Sequence, residues 1–347
     1  MTLIVAGHNI ENVNFAAFAM EARPDSTEPS QGQNPDIAVE PIQESPLDPT
    51  PSELQDPSEA QQEVQTPQVN NIFTNIDGVF FAADSSITDN GRQIVSGFKK
   101  VYEIPIRVLG VNILGGWFNG YTNAIYETAC VVAFAGSTLV SQHLMNSIRN
   151  HLEELRPTYR NGTYQLALPC ETGKHLIHGT YEDMFLPDDY GQNFLLTAPF
   201  VAGAVQHAIQ AVLNKAATHN AMKVSFSAYK AEFILSIRCP DTQKYHIYQY
   251  EIVAGQPAGN ATPAKVQMIQ INEGDVAVIG MRNLFESPAR VAFAAAIAAN
   301  QRVDVAMLDF VSDAIQSQHD IGAFGIGFPA YLYDHKRDQL RRVNQRS

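Results

Sequence analysis

An α+β sandwich is the fold class this sequence predicts: four layers, with two sheets face to face and helices on both outer faces. Three observations predict it. Apolar, β-branched and aromatic runs come first, near 78–84, 101–109 and 129–135. Two helical stripes follow, then a second block of strands. Two further helices, rich in alanine and small residues, close the body.

The elements can be justified in order. Thr2 to Val5 reads as a strand, with Asn14 to Met20 as a possible partner. After the first three body strands, Leu144, Ile148 and Leu152 share one helical face, with Leu155 close to it. Residues 157–195 are turn-rich. Val201, Val205, Ile209 and Val212 form the stripe of a helix over about 196–217. Strand signals return at 223–229, 232–238, 244–252 and 265–271. In the third of these His246, Tyr248, Tyr250 and Ile252 share one face, and that face is expected to be the buried one. Val276 to Met281 is another apolar strand, and helices are expected over 286–299 and 303–318.

Charge is unevenly spread over the 347 residues. Residues 24–70 hold nine of the 19 prolines, ten acidic residues, no Lys or Arg and no aromatic residue. Such a segment buries too little apolar area to offset its ordering entropy, so it reads as a disordered linker. It contributes −10 of the formal −13, leaving −3 for the remainder. A nearly neutral body does not point to nucleic acid. Apolar residues make up 45% of the chain, enough for a sizeable core, yet no run reaches membrane-span length. Cys130, Cys170 and Cys239 show no metal-ligand spacing and fit free thiols in a reducing compartment. With no basic segment before the first apolar residues, a cytoplasmic protein is expected. The domain plan is therefore a strand segment at 1–23, a linker at 24–70, a body at 71–335 and a solvated basic tail at 336–347.

Gly78-Val-Phe-Phe-Ala-Ala-Asp84 delivers a carboxylate at the end of an apolar run, and Lys100 follows sixteen positions later. Buried, such charges must satisfy each other or serve chemistry. Thr2 supplies the third part. An amino-terminal threonine combines a nucleophilic hydroxyl with its own α-amine as base, whose reference pKa is about 7.7–8.0. A neighbouring ammonium disfavours the protonated amine, the role given to Lys100, while Asp84 orients that lysine. Ala133-Phe-Ala-Gly136-Ser-Thr138 runs from a strand into a helix, and Gly136 lets backbone approach a substrate closely. Thr2 is expected to become terminal by removal of Met1, which a small second residue permits. Thr74 is the competing nucleophile, but it lies only ten residues before Asp84.

Thr2-Leu-Ile-Val, the Val79-to-Asp84 block, Lys99-Lys100-Val101 and Phe134-Ala-Gly136 together resemble proteasome β subunits and the HslV-type bacterial peptidase. The resemblance implies an N-terminal-nucleophile (Ntn) hydrolase sandwich, threonine peptidase activity and assembly into homo-oligomeric rings. It implies peptide or unfolded-protein substrates and a possible unfoldase partner, with no cofactor and no metal. Residue by residue, Thr2 matches the nucleophile, Asp84 and Lys100 the charged pair, and Gly136 the oxyanion glycine. Asp320 matches a further carboxylate near the threonine amine. The family has a serine just after its late glycine, whereas this chain has Gly280-Met281-Arg282-Asn283. That departure keeps two alternatives open: a noncatalytic scaffold subunit of such a ring, and a small-molecule amidase of the same superfamily.

Four other signals are weaker. His175-Leu-Ile-His178 has a helical metal spacing but reads as packing histidines. Gly322-Ala-Phe-Gly325-Ile-Gly327 lacks the surrounding βαβ unit of a dinucleotide site. Asn161-Gly-Thr163 and Asn260-Ala-Thr262 match glycosylation sequons by chance in a cytosolic protein.

Overall fold

A computed structural model describes residues 2–10, 76–89, 92–160, 162–179, 195–218, 229–255 and 264–347. The expected strand over 14–20, the linker, Thr74, most of the 223–229 strand and the Asn260 sequon lie outside the described residues.

The chain forms a mixed α/β fold whose two large sheets are antiparallel throughout. The first sheet is built on β1 (Leu3–Ile10), which lies between β12 (Val276–Gly280) and β2 (Ile76–Asp84); β13 (Ala330–Lys336) and β14 (Gln339–Arg346) extend it beyond β2. All eight residues of β1 are buried, because both faces of the strand are covered. Leu3 and Val5 join Phe80 and Ala82 of β2 against the helices α3 (Arg282–Ala298) and α4 (Val303–Asp320). Phe80 and Phe293 meet there with ring centroids 6.0 Å apart. Each such ring, fully buried, is worth about 1.5–3 kcal/mol relative to exposure. Ile4, Ala6, Val79 and Phe81 point the other way, toward the second sheet.

The second sheet has the order β11 (Ala264–Ile271), β10 (Tyr245–Ala254), β9 (Ala231–Arg238), β6 (Trp117–Gly136), β5 (Val101–Leu114). Val131, Ala133, Ile234 and Ile247 of this sheet pack on the first. Its other face, with Val132, Phe134, Phe233 and Leu235, carries the helices α1 (Thr138–Leu152) and α2 (Ala198–Ala216). The Thr197 hydroxyl caps α2 by accepting from the Phe200 N–H, and Pro199 lies in the first turn. Two short hairpins, β3 (Ile87–Asp89) with β4 (Arg92–Val95) and β7 (Arg156–Arg160) with β8 (Thr163–Ala167), and a single 3-10 turn at Thr172–Lys174 complete the described structure.

Several sequence expectations are altered. Strands 101–109 and 129–135 are the inner parts of one long hairpin, turned at Gly115-Gly116, where φ is +61° and +77°. Successive positive φ values at a two-residue loop match the twist of the flanking strands. The face of β10 opposite the one expected to be buried is covered as well: Ile247 and Gln249 are buried because the first sheet lies on them. The α2 stripe ends on buried Leu213 rather than Val212. The solvated basic tail is instead the edge strand β14, paired along β13. Its Arg342 lies over the Tyr331 ring and Arg346 pairs with Asp309 at 2.8 Å. Cationic side chains on an edge strand discourage further strand pairing, which accounts for the composition. Among the described residues, no helix is long and apolar enough to cross a membrane.

Candidate active site

Antiparallel pairing brings the start of β1 beside the ends of two neighbours. Leu3 stands opposite Gly280, and Ile4 stands opposite Ala83. Thr2 therefore meets Gly280 on one side and Asp84 on the other. The Thr2 carbonyl accepts from the Met281 N–H at 2.9 Å, and the Leu3 N–H donates to Asp84 Oδ1 at 2.8 Å. Gly280 has φ +92°, and a Cβ there would stand 1.8 Å from the Thr2 carbonyl oxygen. Only glycine lets β12 come this close.

Lys100 arrives from the other sheet. It immediately precedes β5, and its carbonyl accepts from the Phe134 N–H at 3.1 Å. Its ammonium donates to Thr2 Oγ1 at 3.0 Å and to both Asp84 oxygens at 2.9 Å. These three bonds match its three protons. Thr2, Asp84 and Lys100 are 5%, 1% and 4% exposed. Burial lowers the Lys100 pKa from the ordinary lysine value, while the charge and hydrogen bonds of Asp84 oppose that fall. Asp84 also accepts from the Ser86 N–H at 3.2 Å. Behind it, Gly327 of the glycine-rich 322–327 loop packs so tightly on Ser86 that a Cβ would collide with its hydroxyl, so this loop's observed part is close packing.

Thr2 opens on a cavity of about 730 Å³, and Gly136 lines the same cavity. Gly136 has φ +115°, and a Cβ there would stand 2.6 Å from the Lys230 carbonyl oxygen. Asp320 is placed differently. It is exposed at the C-terminal end of α4, accepts from Gln316 and does not line this cavity. The structure thus brings Thr2, Asp84 and Lys100 into direct contact and Gly136 to the cavity wall, and leaves Asp320 outside it.

Sequence reasoning missed the opposite wall. Arg282, in the Gly-Met-Arg-Asn departure, donates to Glu251 at 2.9 Å and to Glu286 at 3.1 Å, and lies 3.7 Å from Glu232. Glu232 accepts from the Gly280 N–H at 2.5 Å. Burial raises the Glu232 pKa above the ordinary value, against the opposing pull of that N–H and Arg282. The (i, i+4) spacing of Arg282 and Glu286 was visible in the sequence; Glu232 and Glu251 join only through the sheet. His175 and His178 are packing residues: His175 meets the Leu168 carbonyl and Arg156, and His178 the Phe118 carbonyl.

No family model matches the chain, and no curated protein matches it. Solved structures do. One is an Anbu mutant from Hyphomicrobium sp. strain MC1, 12% identical, covering 78% of this chain and 82% of that chain, with a TM-score of 0.33. Another is Anbu, an ancestral beta-subunit, from Yersinia bercovieri, 10% identical, covering 77% of this chain and 83% of that chain, with a TM-score of 0.37. Both likenesses are too loose to assign the chain to a family.

Proposed function

We propose that this chain is a threonine-type peptidase of the Ntn-hydrolase kind, an αββα sandwich related to proteasome β subunits. One observation carries the reading: a buried lysine bridges the Thr2 hydroxyl and the Asp84 carboxylate. As a structural ion pair, Asp84–Lys100 has no need of the first residues of the chain; as a nucleophile's support it does.

In this reading Thr2 carries a free α-amine. The amine takes the proton of the hydroxyl as Oγ1 attacks a peptide carbonyl. Lys100 favours the unprotonated amine and the developing alkoxide, and Asp84 holds Lys100 charged and aimed. The Gly136 N–H stabilises the oxyanion. The tetrahedral intermediate collapses, the peptide nitrogen leaves with the proton from the α-ammonium, and an acyl-ester remains on Thr2. Water, deprotonated by the same amine, cleaves the ester and restores the hydroxyl. Peptides or unfolded segments are the substrates, and a cytoplasmic ring of like subunits, served by an unfoldase, shelters the site.

A noncatalytic scaffold subunit is the second reading, favoured by Arg282 and its three glutamates on the cavity wall. Intact mass and an epoxyketone probe separate the two. Loss of Met1 with labelling that disappears in Thr2→Ala supports the peptidase. Retained Met1 without labelling supports the scaffold. Turnover of simple amides but not of peptides indicates a small-molecule amidase instead.

A further inference from the structure

The helices on the second sheet carry a cluster unrelated to Thr2. Ser147 of α1 donates to the Ala208 carbonyl of α2 at 3.1 Å, which fixes the two helices against each other. One turn further along α1, His151 faces His207, with ring centroids 5.7 Å apart. The loop after β8 adds Cys170, whose Sγ is 3.3 Å from His207 Nε2. The ligand atoms of all three residues lie within 4.8 Å of one another.

We propose that His151, Cys170 and His207 bind one Zn²⁺ ion. The protonation pattern supports a ligand rather than a packing role. His151 Nδ1 lies 2.7 Å from the Ser147 carbonyl, which can only accept, so the ring hydrogen is on Nδ1. That leaves Nε2 as a bare lone pair, and it is buried without a hydrogen-bond partner. A histidine held through one nitrogen by a backbone carbonyl, with the other nitrogen free, is the arrangement a metal ligand requires. Tetrahedral zinc, with Zn–N about 2.0–2.1 Å and Zn–S about 2.3 Å, places neighbouring N and S ligand atoms roughly 3.5 Å apart. The observed 3.3 Å between Cys170 and His207 is close to that spacing. Two imidazoles and one thiolate suit zinc and not magnesium or calcium, which prefer oxygen ligands.

The loop is held for the task. Glu171 accepts from the Leu168 N–H at 3.0 Å and is paired with Lys174, while the Leu168 carbonyl accepts from the Glu171 N–H. Glu171 is thereby occupied, and the exposure of Cys170 and His207 leaves the fourth position to water. Bound metal would tie this loop to both helices.

Cobalt substitution tests the proposal on the full chain. Co²⁺ should give a thiolate-to-metal charge-transfer band that saturates at one equivalent and is displaced by Zn²⁺. Cys130 and Cys239 are buried, so Cys170 is the accessible thiol, which binding of the metal would deprotonate. The band should vanish in Cys170→Ser, and Zn²⁺ affinity should fall at least tenfold in His207→Gln and in His151→Gln. Zn²⁺ should also raise the melting temperature of the wild type and not of Cys170→Ser. Absence of a charge-transfer band, or a band that persists in Cys170→Ser, overturns the assignment. So does unchanged Zn²⁺ affinity in both histidine variants. Peptidase activity enters none of these readouts.

Discussion

The Lys100 ammonium lies 3.0 Å from the Thr2 hydroxyl oxygen across 98 positions of sequence and from the opposite sheet. The same ammonium is bidentate to Asp84. Its removal therefore has two separable effects. Lys100→Met strands a buried carboxylate and is expected to cost about 3–5 kcal/mol of stability. Adding Asp84→Asn should return most of that loss in urea midpoints. Thr2 labelling should fall in both variants, by roughly 10²–10⁴-fold, and not recover in the double variant. Recovery of both quantities together would mean that Lys100 acts only by keeping the chain folded.

Gly280 gives a test from the other side of Thr2. Its left-handed backbone, and the 1.8 Å that would separate an alanine methyl carbon from the Thr2 carbonyl oxygen, leave no room for a side chain. Gly280→Ala should push the start of β1 away from β12. A loss of about 1–3 kcal/mol is expected, with Thr2 labelling reduced more steeply than stability. Hydrogen exchange at the Met281 N–H, which now donates to Thr2, should rise selectively.

Acid should loosen the contact between the two sheets. His8 and His335 are buried there, and burial lowers both to about 4 from 6.5. Both are neutral in the folded chain above that value, while the unfolded chain protonates near 6.5. The unfolded state binds more protons between these pH values, so stability falls as pH drops from about 6.5 to about 4 and levels off below. Each histidine contributes up to roughly 3 kcal/mol to that slope. Urea unfolding at a series of pH values should show it, and His335→Asn should flatten it by about half. A slope unchanged by that variant would place the acid sensitivity elsewhere.

Much of this site was legible because its chemistry sits at strand ends. An apolar run closing on Asp84 and a lysine opening the next strand announce themselves, and the apolar run after Thr2 marks β1. The wall opposite was less legible. Arg282 looked like a departure from a pattern, and its partners Glu232 and Glu251 reach it only because β9 and β10 pair in register. Asp320 matches the resemblance only by its position along the chain, and as the last residue of α4 it is exposed. The β14 edge was hidden by its charges, since five cations between Lys336 and Arg346 suggest a tail when the strand pairing is unseen. His151, Cys170 and His207 have no spacing to read, because two helices and a loop bring them together.

Arg282 decides how the cavity treats charge. With Lys230 it offsets Glu232, Glu251 and Glu286 along the lining. Its hydrogen bonds run to Glu251 and Glu286 rather than to Thr2, Asp84 or Lys100, so Arg282→Ala should leave the nucleophile in place. The three carboxylates then lose their shared partner, and Glu232, already raised by burial, should rise further. At neutral pH the wall becomes more negative. Peptide probes with a lysine beside the reactive group should gain several-fold over glutamate-bearing ones, and salt should shrink that preference. An unchanged ratio would mean that substrates do not contact this wall, and Arg282 would then act only as a brace between β9, β10 and α3.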